Sequence, residues 1–281
     1  MNEIMCRLHN DFLKVPLTGF KGTEISILMA ICTKIKNKHL DYVEIPLSVL
    51  RALSGYRNKD KTQFITDILN VNKKLLTLNA NYVVEADGKK EYYGFVLFTS
   101  YRLSEQSDSL ILKINPEFEY LLNDFKRNFT DFEMQQLALL KSRYSILCFI
   151  FLKRWKNKGI WIVKIEDFKR MLDVPTSYGA REINKKIIPV VIAELSSIFK
   201  NLKINTVRDQ HRKSHPIIRY EFRFDAEYKL ARKSKDGSVN ATTFEDEDSA
   251  KNNPNTLLYI QNDIPRLKAM LGGNPGTTKT D

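Results

Sequence analysis

Little in this chain of 281 residues is suited to redox, metal or membrane chemistry. Its three cysteines, Cys6, Cys32 and Cys148, are odd in number, far apart and set among apolar neighbours. A disulfide framework or a zinc cluster needs paired or closer spacing, so these thiols are expected to be reduced and buried. The four histidines, His9, His39, His211 and His215, form no His-x-His pair. No apolar run approaches bilayer length, and residues 1–20 lack the apolar centre of a signal peptide. The expectation is a cytoplasmic protein with no membrane contact, no metal and no cofactor. Catalytic signatures are missing as well. There is no G-x-x-x-x-G-K-[ST] phosphate loop, no G-x-S-x-G elbow and no H-E-x-x-H helix. A nicking enzyme would want a His-x-His metal pair and a nucleophilic tyrosine, and the twelve tyrosines fall mostly in apolar patterns that read as packing. The chain is therefore expected not to be an enzyme.

What the sequence has in excess is positive charge, a net +12, and its placement says more than its size. Residues 1–140 carry 18 Lys and Arg against 17 Asp and Glu, residues 141–232 carry 21 against 9, and residues 233–281 carry 6 against 7. The whole excess falls in one stretch between near-neutral neighbours. A polyanion partner accounts for such a stretch, and nucleic acid is the commonest one inside cells.

The apolar periodicity is written twice. Residues 23–36 read as a helix, 41–45 as a strand, 46–53 as a short helix with Ser48 as its cap, and 60–78 as a longer helix. Residues 81–85 and 92–98 then read as strands around an Asp-Gly turn. The order returns with a helix at 142–157, a strand at 160–165, a short helix at 166–172, a longer helix at 181–199 and strands at 202–207 and 216–224. A shift of 119 residues places Phe64, Ile68, Val71 and Leu76 on Ile183, Ile187, Val190 and Leu195. Helix, strand, two helices with a tight break and a hairpin is the order of a winged helix. The predicted fold class is α+β: two tandem winged-helix domains, over residues 1–128 and 129–230, with a disordered tail over 231–281. The tail is rich in Asn, Ser, Thr and Gly and poor in core-forming residues. Within it, residues 256–271 are weakly amphipathic and interrupted by Pro265.

A reading helix keeps one face apolar and offers long donors on the other. In the second copy Ile183, Ile187, Val190 and Val191 serve the core, while Arg181, Asn184, Lys185 and Lys186 are expected to point outward. Ser177 and Tyr178, in the turn before this helix, add hydroxyls for phosphate contacts. The hairpin tip brings Arg208, His211, Arg212 and Lys213. Lys141, Ser142, Arg143 and Tyr144 open the first helix of the copy, where a helix N-terminus favours phosphate. In the first copy Arg57, Asn58, Lys59 and Lys61 lead into the long helix, diluted by Asp60 and Asp67, so this copy reads as an accessory or dimerising domain. His211 and His215 lack a third ligand, and Trp155 and Trp161 read as packing residues.

Several of these stretches resemble the iteron-binding replication initiator (Rep) proteins of theta-replicating plasmids. The resemblance rests on Asn128-Phe129-Thr130, on Leu137 through Ser145, on Phe149 through Lys156, on Ile165 through Pro175, on Ser177-Tyr178, on Ile183 through Leu195 with Pro189 inside it, and on Tyr220 through Phe224. Phe149-Ile150-Phe151-Leu152-Lys153 departs from the family's Tyr-Glu-Leu-Leu-Lys. The likeness covers roughly residues 10–230 and is more specific in the second domain. It implies binding to direct repeats in double-stranded origin DNA, opening of the adjacent duplex, and recruitment of host replication proteins such as a helicase or initiator. It also implies a homodimer or a monomer–dimer equilibrium tied to copy control. A winged-helix transcriptional regulator or autorepressor without an origin role shares every DNA-binding feature and stays open at this point.

Overall fold

A computed structural model of the chain describes residues 3–15, 17–35, 42–77, 79–86, 89–116, 128–227 and 258–259. The expected tail, 231–281, lies outside these residues except for the last pair.

The first domain is built around α1 (Gly22–Ile35), every residue of which from Glu24 to Cys32 is buried. A helix apolar on all sides must sit at the centre, and α1 packs on α2 (Leu47–Ser54) and α3 (Lys61–Thr77). Its one buried carboxylate, Glu24, accepts the Lys21 N–H at 2.6 Å and pairs with Lys74. α2 follows directly on β2 (Tyr42–Pro46). Ser48 makes no cap here, because Pro46 holds the cap position and the Leu47 N–H donates to the Asp108 carbonyl at 2.8 Å. Asp60 caps α3 instead: its Oδ1 accepts the Thr62 and Gln63 N–H groups at 2.8 and 3.3 Å. The acid that seemed to dilute a basic run therefore has a structural task.

The expected strands become β3 (Asn79–Ala86) and β4 (Lys89–Val96), but they are not the hairpin that closes the domain. That part falls to β5 (Phe98–Ser104) and β6 (Ser109–Ile114), which join β2 in a sheet of order β2-β6-β5. The shift of 119 residues consequently holds only as far as α3. Beyond it the first domain carries an extra hairpin, whose strands have the same alternating composition as the pair they were mistaken for.

In the second domain, α5 (Arg143–Arg154) precedes β8 (Ile160–Lys164) and α6 (Ile165–Met171). After the reading helix come β9 (Lys203–Arg208) and β10 (Ile217–Arg223), in a sheet of order β8-β10-β9. First, last and middle strand stand in the same order as in the first domain, so the duplication survives in topology where identity is absent. The expected helix 181–199 is two helices, α7 (Ala180–Lys186) and α8 (Ile188–Leu195). Pro189 has no N–H and its ring crowds the carbonyl four residues back, so the helix breaks at Ile187. On β10, Ile217 turns inward with Tyr220 and Phe222, out of strict alternation, because the ladder to β9 slips one residue between Ile217 and Arg219. Trp161, 4% exposed, packs among Phe151, Phe168 and Phe222 with ring centroids 4.7–6.4 Å apart. All three cysteines are buried and none is in a disulfide, and burial pushes the Cys148 thiol well above its ordinary range.

The predicted boundary at residue 128 is bridged by chain from both sides. β1 (Met5–His9) pairs antiparallel with β7 (Phe129–Glu133), which runs into the short α4 (Met134–Leu137). Cys6, Leu8 and Phe132 of this ribbon are fully buried, against α1 on one side and α5 on the other. Two lysines are drawn inside with it. Lys153, 2% exposed, lies 3.0 Å from Glu133 and 2.8 Å from Glu227, and Lys156 reaches Asp131 at 2.5 Å. Leu258–Tyr259 are extended along β3 as β11, and the rest of 256–271 lies outside the described residues.

Gly55 caps α2 at φ 63°, and a Cβ on it would stand 2.6 Å from the Ala138 Cβ and 2.8 Å from the Ala138 carbonyl oxygen. Both a left-handed backbone and a seam between segments depend on this glycine. Gly55→Ala is expected to lower stability by about 2 kcal/mol, seen as a fall in Tm; an unchanged Tm would contradict the close approach.

Candidate nucleic-acid interface

α7 buries Ile183 against the sheet and turns Arg181, Lys185 and Lys186 to solvent. Its start is set locally: the Glu182 carboxylate accepts the Gly179 N–H at 3.1 Å and closes the first turn. Arg181 and Lys185 have no polar partner among the described residues. Lys186 is less free. Its ammonium stands 4.5 Å over the Tyr178 ring and 3.4 Å from that hydroxyl. Ser177 is exposed in the turn before the helix. Asn184 departs from expectation: it is half-buried, and its Oδ1 accepts the Tyr220 hydroxyl at 3.0 Å. Burial pushes the Tyr220 phenol up to about 12, so it stays protonated.

The tip between β9 and β10 is ordered by Asp209. Its side chain accepts the His211 N–H at 2.9 Å and lies 3.4 Å from the Arg212 guanidinium, while its own N–H donates to the Pro216 carbonyl at 2.9 Å. Arg208 donates to the His215 carbonyl at 3.0 Å. Arg212 keeps 75% of its side chain exposed, and Lys213 and His211 are exposed. The wing thus offers Lys213 and most of Arg212 to a partner, with Arg208 used in its own closure. Among the described residues no cluster of His, Cys, Asp and Glu could hold a metal.

The start of α5 is not the open phosphate site that the sequence suggested. The Glu194 carboxylate of α8 accepts the N–H groups of Lys141 and Ser142 at 3.0 and 3.3 Å. Gly22 of α1 lies so close that a Cβ there would be 2.9 Å from the Lys141 carbonyl. Arg143 is paired with Asp173 at 3.0 Å, and the same Asp173 oxygen accepts the Gly19 N–H at 3.0 Å. Tyr144 lies half-buried beside Arg143. Of the four residues, the Lys141 side chain alone is exposed. Asp173 and Glu194, which hold this junction, were not singled out from the sequence. Asp173 sits at φ 48° in the break before Pro175, a conformation Asp tolerates better than most residues. Nothing local marks Glu194.

In the first domain Arg57, Asn58, Lys59 and Lys61 are all exposed before or at the start of α3. Arg57 donates to the Leu139 carbonyl at 3.3 Å, Lys61 pairs with Asp108 at 3.0 Å, and Asn58 accepts the Asp60 N–H at 3.0 Å. Lys59 has no polar partner among the described residues. The α3 start is accordingly poorer in free donors than the α7 start. Part of the excess charge is also spent internally, on Lys153, Lys156 and Arg143. Another part, Lys164, Lys203 and Arg219, is exposed on the outer face of the β8-β10-β9 sheet, away from α7.

Helix, strand, helix, reading helix and strand pair, given twice, define a protein of two winged-helix domains. Residues 6–153 match the family described as "Initiator Replication protein, WH1", and residues 164–224 match "Initiator Rep protein, WH2". The chain belongs to this family of initiator replication proteins, the one its sequence resembles. A "Probable replication protein rep" of Bifidobacterium longum (strain NCC 2705) is 32% identical over 206 residues, which are 72% of this chain and 67% of that one. Among solved structures, the Pi initiator protein in complex with iteron DNA has the same fold at TM-score 0.60 and 14% identity, covering 82% of this chain and 100% of the other. Domains 2 and 3 of RctB align at TM-score 0.45 and 10% identity over 74% of this chain and 83% of theirs.

Neutralising a wing phosphate contact removes about 0.9 from the slope of log affinity against log salt. Lys213→Ala is expected to lower duplex affinity equally on all sequences and to flatten that slope by about this amount. An unchanged slope would take Lys213 off the backbone.

Proposed function

We propose that this initiator binds direct repeats in a plasmid origin as sequence-specific double-stranded DNA. The start of α7 enters the major groove and the 208–215 wing tracks the adjoining backbone. The observation that carries the reading is that Arg181 and Lys185 stand exposed and unpartnered at the start of the reading helix while Lys213 and Arg212 stand exposed on the wing. A recognition helix offers base edges such donors at this place, and arginine or lysine there pairs with guanine. The first domain, with Lys59 and a more heavily committed α3 start, acts as the accessory or dimerising unit. Opening of the adjacent duplex and recruitment of host helicase or initiator follow binding, in a cytoplasmic protein that moves between monomer and dimer. The protein performs no covalent step of its own, a view supported by inert, buried thiols.

Binding to a labelled duplex carrying direct repeats from the protein's own replicon, titrated in salt against a scrambled duplex, tests the reading. The expected result is a ladder of one shift per repeat, absent on the scrambled duplex. Arg181→Ala and Lys185→Ala should each cost about 1–3 kcal/mol on the repeat and less on the scrambled control. Equal affinity for both duplexes would leave a general DNA binder. In a separate assay, supercoiled origin plasmid with Mg²⁺ should stay intact; a nicked product would overturn the non-enzymatic assignment.

A further inference from the structure

Asn184 sits on α7 between Arg181 and Lys185, one step toward the sheet from the exposed face. Asparagine on a reading helix can pair with adenine by giving its amide N–H to N7 and taking the N6 proton on its carbonyl oxygen. That pair needs both ends of the amide to be free. Here one end is taken. The Tyr220 hydroxyl, on a side chain with no exposure, donates to Asn184 Oδ1 at 3.0 Å. A buried phenol must place its proton, and Asn184 is its one hydrogen-bond partner among the described residues. The hydroxyl therefore donates, which fixes the amide with Oδ1 inward and Nδ2 outward. Nδ2 has no partner among the described residues. Toward a groove, Asn184 is then a donor only.

We propose that Tyr220 sets the base preference of Asn184, making it a reader of keto bases. In the major groove guanine presents acceptors at O6 and N7 and thymine at O4, cytosine presents a donor at N4, and adenine sets its N7 acceptor beside the N6 amino donor. An outward NH₂ suits guanine and thymine, meets a donor in cytosine, and at adenine reaches N7 only with the N6 proton left without the acceptor that the two-bond pair supplies. Tyr220 touches no DNA; it is a positioning residue that acts through Asn184. The inference rests on α7 being the helix that reads DNA, as proposed above.

The test uses the full chain and a pool of duplexes randomised over the length of one repeat, with the bound fraction sequenced. Wild type should show one position at which guanine or thymine on the contacted strand is favoured over adenine or cytosine by about tenfold. Asn184→Ala should flatten that position alone. Tyr220→Phe keeps the buried ring, so melting temperature within a few degrees of wild type is the check that it folds. It should admit adenine at the same position by freeing the amide to turn. Asn184→Asp, which presents an acceptor, should move the preference toward adenine and cytosine. The proposal is overturned if the Asn184→Ala loss is spread evenly over all sequences, if the affected position prefers adenine in wild type, or if Tyr220→Phe leaves the preference untouched. Loss of all sequence preference in wild type, with Arg181→Ala and Lys185→Ala without effect, would instead remove α7 as the reader.

Discussion

The basic face of α7 exists because its other face is held down. Ile183 and Ile187 are fully buried in the domain core, in which Tyr220, Phe222 and Trp161 of the sheet pack with Phe168 of α6. A seven-residue helix with four charges has little stability of its own in water. Packing supplies what propensity does not, and it also fixes the rotation of the helix about its axis. Which side chains reach a groove is decided by that rotation. Pro189 contributes by stopping the helix at Ile187, and α8 beyond it places Glu194 at the start of α5.

The same economy governs the junction of the two domains. The β1–β7 ribbon joins the beginning of the chain to the segment between the domains, and it brings Lys153 and Lys156 inside on Glu133, Glu227 and Asp131. A buried ammonium is tolerated only where carboxylates meet it, and removing either partner strands a charge in an apolar setting. Glu194 and Asp173 carry out a comparable task at the surface of this junction by accepting donors that the sequence had offered to phosphate, the Lys141 and Ser142 N–H groups on Glu194 and the Arg143 guanidinium on Asp173. A carboxylate of the protein and a phosphate of DNA compete for the same donors. Where the protein's own acid is already seated, the donors this domain leaves open to a polyanion are those of the α7 face, the wing and the Lys141 side chain.

The Gly55→Ala prediction shows how far local reading reaches. The tight break after the helix at 46–53 was legible because a glycine, Gly55, follows it, and glycine follows helices in the left-handed conformation. That Ala138 would lie 2.6 Å from an added Cβ was not legible, since nothing local links residues 83 positions apart. Most helices were read within three residues of their observed ends for the same reason, apolar side chains recurring every three or four positions; the 181–199 helix was not, because Pro189 splits it and it ends at Leu195. The strands at 81–85 and 92–98 were read as strands and pair with each other as expected, but they were given the closing place that β5–β6 takes. Period two says that a segment is extended and half-buried; it does not say which ladder it joins, and β3–β4 and β5–β6 alternate alike.

Residue types and their order alone determined that the chain is duplicated, that each half is helix-rich with a closing hairpin, that positive charge gathers in the second half, and that Arg181, Lys185 and Lys213 stand among its donors. Each of these depends on neighbours within a few positions, where spacing and propensity act directly. The tertiary structure decided which donors are free. Arg143, Lys153 and Lys156 count as positive in any sum over sequence, yet Asp173, Glu133, Glu227 and Asp131 neutralise them across separations of up to 74 residues. Asn184 reads as an outward amide from its place on the helix, and only the hydroxyl of Tyr220, 36 residues later, turns its oxygen inward. Charge and hydrogen bonding depend on distance in space, which the order of residues does not contain.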